Sequence, residues 1–500
     1  MKSATTGPAG ITQLSLADTA AALRAKKFSS VELLKAYQQR RAQLEPKLGA
    51  FLSTQDDLAL DQAAQVDTRI SKGEQLPALA GIPVAVKDNF NVQGTETTAG
   101  SKILKGYVSA YDATAIKKLR EVGAVIVGKT NLDEFAMGSS TENSAFKPTK
   151  NPWDITRVPG GSSGGSAAAV SGDLCAAALG SDTGGSVRQP ASFTNTVGLK
   201  PTYGRISRYG LLALASSLDV VGTLTKTVED AAILLEQLAG PDPLDATCHN
   251  ERAPLYSSLL GSGESVKGRT IGLPKEYFSQ GLDTAVGEQV RAAAEQLKKQ
   301  GAKIVEVSLP HSKYALPTYY ILLPSEASAN LARYDGIRYG ASTTRSNDNR
   351  AQDLLEVYSQ SRAQGFGPEP IRRIMLGTYA LSSGYYDAYY RQAQKVRTLV
   401  RQDFLEAFKN VDLLLTPTTP TTAFRLGEKK QEPLAMYLSD VMTVAINVAG
   451  VPALTLPCGF VDNLPVGMQL VGPDYNEELL FKVGHAYQQE TDWHTRRPAL

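Results

Sequence analysis

Gly81-Ile82-Pro83-Val84-Ala85-Val86-Lys87 is a short apolar run ending in a cation, and it reads as a buried strand. Residues 112–122 then carry apolar side chains at helical spacing and lead into a second apolar run, Ala124-Val125-Ile126-Val127. Strands separated by helices of ten or so residues argue for a sheet covered on both faces.

The same alternation continues outward from that unit. Residues 228–238, 286–300 and 393–408 have helical spacing, and 270–273, 304–307 and 411–415 read as strands. The pattern predicts an α/β fold with one large mixed β-sheet between helices. Helical segments fill about 1–75, where Ser30 is the expected N-cap of a helix over 31–44. No internal repeat or linker divides the chain. One domain over 1–500 is therefore expected, with about 80–230 as its core and the remainder completing the sheet and a substrate pocket. Gly160–Gly165 is followed at once by Ala167-Ala-Ala-Val170, so it reads as a tight turn opening a buried helix.

Composition removes several classes of function. With 52 basic and 50 acidic side chains the net charge is +2, and no Lys/Arg-rich stripe is present. A nucleic-acid role would therefore rest with a partner. Cys175, Cys248 and Cys458 are far apart, which suits a reducing compartment and gives no metal-binding spacing. The N-terminal residues lack an apolar core of the secretory kind, and no apolar run reaches the ~18–20 residues of a membrane span. A cytoplasmic protein is the expectation.

Three motif matches fail on physical grounds. Gly123–Thr130 fits the phosphate-loop formula, but its variable positions are Ala-Val-Ile-Val, which form strands rather than loops. Ser144-Ala-Phe-Lys147 needs a helix to bring its ends together, and Pro148 disfavours helix at Lys147. Gly160–Gly165 fits a nucleophile elbow twice, yet 156–159 is a poor strand. None of His249, His311, His485 and His494 is marked as a partner for a serine.

Lysine can deprotonate a serine only when neutral. That requires a fall of about 3 pKa units, or ~4–5 kcal/mol, which burial can supply. Lys87 ends an apolar strand, and two readings stay open. It is a buried base, or it is a strand-end lysine reaching to water, the plainer reading on local sequence alone. The turn at Leu179-Gly-Ser-Asp-Thr-Gly-Gly-Ser186 could aim successive N–H groups at one point beside a serine hydroxyl, or could simply join a strand to a helix.

Together these segments resemble the amidase signature family. The resemblance runs almost without a gap from Gly160 to Ser207 and includes Gly81–Asn89. Lys87 and Ser162 are 75 residues apart, and Ser162 and Ser186 are 24 apart. The resemblance implies that Ser186 is the nucleophile of an amidase and that Ser162, after a cis peptide bond, relays its proton to Lys87. It also implies that Thr183, Gly184, Gly185 and Ser186 offer N–H groups to the oxyanion. It thereby reverses the plainer reading of Lys87.

Ser325–Gly340, Arg372–Tyr379, Ser439–Asn447 and the close at 492–498 are similar to A subunits of glutamyl-tRNA(Gln)/aspartyl-tRNA(Asn) amidotransferases. That resemblance implies a glutaminase. Arg373 would take the substrate carboxylate and Asp440 its ammonium, with Tyr319 or Tyr320 nearby. No cofactor or metal is expected in this chain. ATP and Mg²⁺ are implied on a larger B subunit that also binds tRNA, with a small C subunit serving as a clamp and an internal passage for ammonia. A stand-alone amidase of other small amides is the alternative, and a non-catalytic scaffold of the same fold is a third possibility.

Overall fold

In the computed structural model, which describes residues 8–261, 265–279, 281–345 and 353–500, eleven strands join one sheet. They are β1 (Phe51–Thr54), β2 (Pro83–Lys87), β3 (Val125–Thr130), β4 (Ala177–Asp182), β5 (Val197–Lys200) and β6 (Val220–Thr225). The rest are β7 (Thr270–Pro274), β8 (Lys303–Val307), β9 (Leu413–Pro417), β10 (Ala453–Val461) and β11 (Leu464–Val471). Their order across the sheet is β1-β3-β2-β4-β6-β5-β10-β11-β9-β7-β8. β2 runs parallel to both β3 and β4, and β7 runs parallel to β8 and β9; the central pairs are antiparallel. The sheet is mixed, with helices on both faces.

The alternation within β2 shows how both faces are filled. Val84 and Val86 join one core cluster, while Ala85 joins another. β9 does the same with Leu413 and Leu415 against Leu414. Successive side chains on a strand point to opposite faces, so both faces are packed. Helices Thr114–Glu121, Val228–Leu238, Thr284–Lys299 and Glu477–Gln489 cover the first face. Helix Gly164–Ser171 covers the second over β2–β4, and helices Ala315–Asn330 and Gln392–Ala407 cover it over β9. Lys87, two residues after Ala85, lies on the second face.

One expected cap is corrected. Ser29, not Ser30, caps the helix Ser30–Leu48: its hydroxyl accepts from Glu32 N–H, and the Glu32 carboxylate accepts from Ser29 N–H. This reciprocal pair satisfies two of the helix's unpaired donors. The Ser30 hydroxyl instead donates to the Gly81 carbonyl. The phosphate-loop match lies across β3, with Lys129 buried and donating to Asp88 at 2.7 Å. Residues 144–147 are not helical.

Candidate active site

Lys87 is fully buried, so the water-reaching alternative does not hold. Its Nζ lies 2.7 Å from Ser162 Oγ, 2.9 Å from Ser163 Oγ, 2.9 Å from Ser181 Oγ and 3.3 Å from the Ser181 carbonyl. Burial lowers its pKa from an ordinary 10.5 to about 7, against the opposing pull of Asp133, Asp182 and Asp219. A neutral amine has two N–H donors and one lone pair. Ser163 spends its proton on the Ser181 carbonyl, so it can only accept from Lys87. The hydroxyls of Ser162 and Ser181 donate to no other group among the described residues, so each can turn its proton toward the amine. Ser162, at 2.7 Å, is the nearer of the two.

Ser162 follows a cis peptide bond after Gly161 and is fully buried. Ser186 is brought beside this group because its carbonyl accepts from Ser163 N–H at 3.0 Å. The Ser186 hydroxyl forms no hydrogen bond among the described residues, and Ser186 is 7% exposed where Lys87 and Ser162 are 0%. Of the three, it is the one with a face toward a substrate.

The turn between β4 and Ser186 is held by Asp182. Its carboxylate accepts from the N–H groups of Gly185 (2.9 Å) and Val187 (3.1 Å) and pairs with both ends of the Arg188 guanidinium. Burial is the largest single influence and opposes its charge, yet Arg188, Lys200 and Asn447 together outweigh it and hold the carboxyl at about 2. One of the four expected donors is already engaged in this structure. Gly185 N–H is committed to Asp182, and its φ of +128° suits glycine. The N–H groups of Thr183, Gly184 and Ser186 meet no acceptor among the described residues. Thr443 pins the turn from outside by donating to the Gly184 carbonyl at 2.6 Å.

A second group sits beside this turn. The Tyr319 hydroxyl packs on Gly184, and the neighbouring Tyr320 donates to Asp440 Oδ2 at 3.1 Å. Ser139 donates to the same oxygen at 2.8 Å. Burial raises the Asp440 pKa to about 7 against these bonds and Arg373. The Arg373 guanidinium lies 5.1 Å from the Tyr320 ring and 5.3 Å from that of Tyr437, and the two rings stack at 4.0 Å. Arg373 is buried, unlike its neighbour Arg372. A cavity of about 520 Å³ opens here, walled by Ser140, Glu369, Arg373, Lys429 and Tyr437 among others, and none of the three catalytic candidates lines it. The two tyrosines join the serine turn to this charged arm.

The histidines play no part in this arrangement. His311 pairs with Asp403 on helix Gln392–Ala407, and His485 lies in the C-terminal helix. Among the described residues no group of three or more His, Cys, Asp or Glu side chains could hold a metal, and no helix is long and apolar enough to cross a membrane.

A family model described as amidase matches residues 32–481. The chain belongs to the amidase family. This amidase is 56% identical over 478 residues to the A subunit of glutamyl-tRNA(Gln) amidotransferase from Carboxydothermus hydrogenoformans, covering 96% of this chain and 97% of the relative. It is 58% identical over 476 residues to the protein of that name from Microcystis aeruginosa, covering 95% and 97%. The crystal structure of the corresponding A subunit of glutamyl-tRNA(Gln) amidotransferase from Thermotoga maritima matches with a TM-score of 0.79 at 42% identity, over 98% and 97% of the two chains. Peptide amidase from Stenotrophomonas maltophilia matches with a TM-score of 0.79 at 32% identity, over 97% and 98%.

Sequence reasoning met Ser163 only as one of two centres of the rejected nucleophile elbow, and did not single out Ser181, Asp182, Arg188, Ser139, Glu369 or Tyr437. For Asp182 a signal existed: an Asp ahead of a Gly-rich turn commonly accepts N–H groups two or three residues on. Glu369 stands four residues before Arg373, the spacing of a helical ion pair.

Proposed function

We propose that this chain is the glutamine-hydrolysing A subunit of a tRNA-dependent amidotransferase. The observation that carries this is Tyr320, which touches a buried anion and a buried cation at once, Asp440 and Arg373. A free amino acid presents the complementary pair, and a guanidinium suits its carboxylate. The A-subunit relatives, above 55% identity over most of both chains, support the same choice.

In this proposal the glutamine carboxylate lies against Arg373, its ammonium against Asp440, and its side-chain amide against Ser186. Ser186 Oγ attacks the amide carbon while its proton passes through Ser162 to neutral Lys87. The N–H groups of Thr183, Gly184 and Ser186 stabilise the oxyanion. The tetrahedral adduct collapses, the C–N bond breaks, and the proton returns from Lys87 through Ser162 to the departing nitrogen. Ammonia leaves, and water then splits the acyl-enzyme to release glutamate and restore Ser186.

The ammonia would travel by an internal passage to a larger B subunit, where ATP and Mg²⁺ activate Glu-tRNA(Gln) or Asp-tRNA(Asn), with a small C subunit clamping the pair. A single-domain chain working in the cytoplasm, where charged tRNA is found, belongs to this proposal. The test is ammonia release from glutamine by the purified chain with and without companion subunits. Release stimulated by the companions, ATP and misacylated tRNA supports the proposal. Hydrolysis of aryl or fatty amides with no response to glutamine would instead make this a stand-alone amidase.

A further inference from the structure

We propose that Glu369 is a positioning residue that sets how the arm reads a carboxylate. The inference rests on the assignment of Arg373 to the substrate carboxylate.

Glu369 and Arg373 face one another along helix Pro368–Leu381. Glu369 Oε1 accepts from Arg373 Nε at 2.8 Å and from the Tyr437 hydroxyl at 2.8 Å, while Arg372 closes on Oε2. Burial is the largest single influence and opposes its charge, but Arg373, Tyr437 and Arg372 together outweigh it and hold the Glu369 carboxyl below the usual range. It stays ionised under physiological conditions.

A guanidinium carries five N–H donors in a planar fork. Glu369 occupies Nε, and neither Nη nitrogen of Arg373 has a hydrogen-bond partner among the described residues. The side chain is thus held by one edge, and its two terminal nitrogens remain together for a second carboxylate in the cavity that Arg373 lines. Paired terminal nitrogens match the two oxygens of a carboxylate. Glu369 offsets only one of the two guanidiniums it touches, Arg372 and Arg373, so this cluster keeps a positive charge for a substrate anion. Tyr437 shares the same Glu369 oxygen, so its ring is locked against Tyr320 and the guanidinium has an aromatic wall beside it.

Without Glu369 the guanidinium keeps its charge but loses its orientation. The loss should fall on ligands that carry a carboxylate and spare those that do not. Three probes separate the cases: glutamine, glutaramic acid (which lacks the ammonium) and 4-aminobutanamide (which lacks the carboxylate). Binding is measured by calorimetry and ligand-observed NMR on the full-length chain carrying Ser186→Ala, so that no turnover intervenes. Glu369→Ala should weaken glutamine and glutaramic acid at least tenfold and change 4-aminobutanamide less than twofold. Glu369→Gln, which keeps an acceptor oxygen, should fall between wild type and Glu369→Ala. Equal losses on all three probes, or no loss on any, overturns the proposal. Arg373→Ala separates the two levels. If it leaves glutamine binding intact, the carboxylate assignment itself is wrong. If it weakens glutamine strongly while Glu369→Ala does not, only the role of Glu369 falls.

Discussion

Lys87 Nζ and Ser162 Oγ stand 2.7 Å apart, and both residues are wholly withdrawn from solvent. The pair links a strand-end amine on β2 to a loop 75 residues away, and burial brings the amine into the range where it can accept a proton at neutral pH.

The acid limb of activity should be steep. Lys87 and Asp440 both titrate at about 7, and both are lost on the same side. Below that value Lys87 gains a proton and cannot accept one, and Asp440 loses the charge that the proposed ammonium contact requires. For glutamine, kcat/KM should fall by nearly two decades per pH unit well below 7. For glutaramic acid, which needs only Lys87 of the two, it should fall by one. Equal slopes for the two substrates would remove Asp440 from ammonium recognition.

Replacing the lysine should stabilise the fold. The unfolded chain holds the Lys87 proton up to about 10.5 and the folded chain only up to about 7, so between those values stability rises with pH. Below about 7 the whole penalty is present, on the order of 4–5 kcal/mol. Lys87→Met removes it, strands the Ser162 hydroxyl and leaves Ser181 Oγ only the bond it accepts from Asn89, at about 1–3 kcal/mol. Activity should vanish while Tm rises at pH 6–7, with the gain shrinking as the pH approaches 10. A lower Tm at pH 6–7 would contradict the neutral buried amine.

How much of this was legible in the sequence differs from residue to residue. Lys87 could be placed at a strand end, but not its burial, because the groups enclosing its amine come from Ser163 and Ser181, 76 and 94 residues on. The choice between Ser29 and Ser30 was decidable, since only Ser29 has a Glu three residues later. The β10–β11 hairpin also carried a readable mark in Asp462-Asn463. Both residues have positive φ, as the tight turn between twisted antiparallel strands requires. Arg373 could be chosen over Arg372 only by resemblance. What separates them is contact with Tyr320 and Tyr437, from two other elements.

Asp182→Asn should damage turnover more than binding. The substitution removes the charge that pairs with Arg188 and draws in the N–H groups of Gly185 and Val187. The donors beside Ser186 would lose their aim, and losing one such donor typically costs about 10²–10³ in kcat. We expect kcat to fall about 10²-fold with KM changed less than threefold. A rise in KM alone would show that the turn does not depend on this carboxylate.

Gly377→Ala should act on the substrate arm from a distance. A β-carbon there would overlap the backbone carbonyl of Pro324 on the neighbouring helix Ala315–Asn330. Relief requires helix Pro368–Leu381 to move away from the helix that carries Tyr320, taking Arg373 with it. Overpacking of this kind costs about 1–3 kcal/mol. A lower Tm together with a raised KM for glutamine is expected. An unchanged KM would mean that Arg373 tolerates displacement of its helix.

The enclosure of the Lys87 amine has one last consequence. Nζ is ringed by the Ser162, Ser163 and Ser181 hydroxyls and the Ser181 carbonyl. The amine is therefore aimed by the fold alone, and the Arg373–Asp440 arm can be altered without re-aiming it.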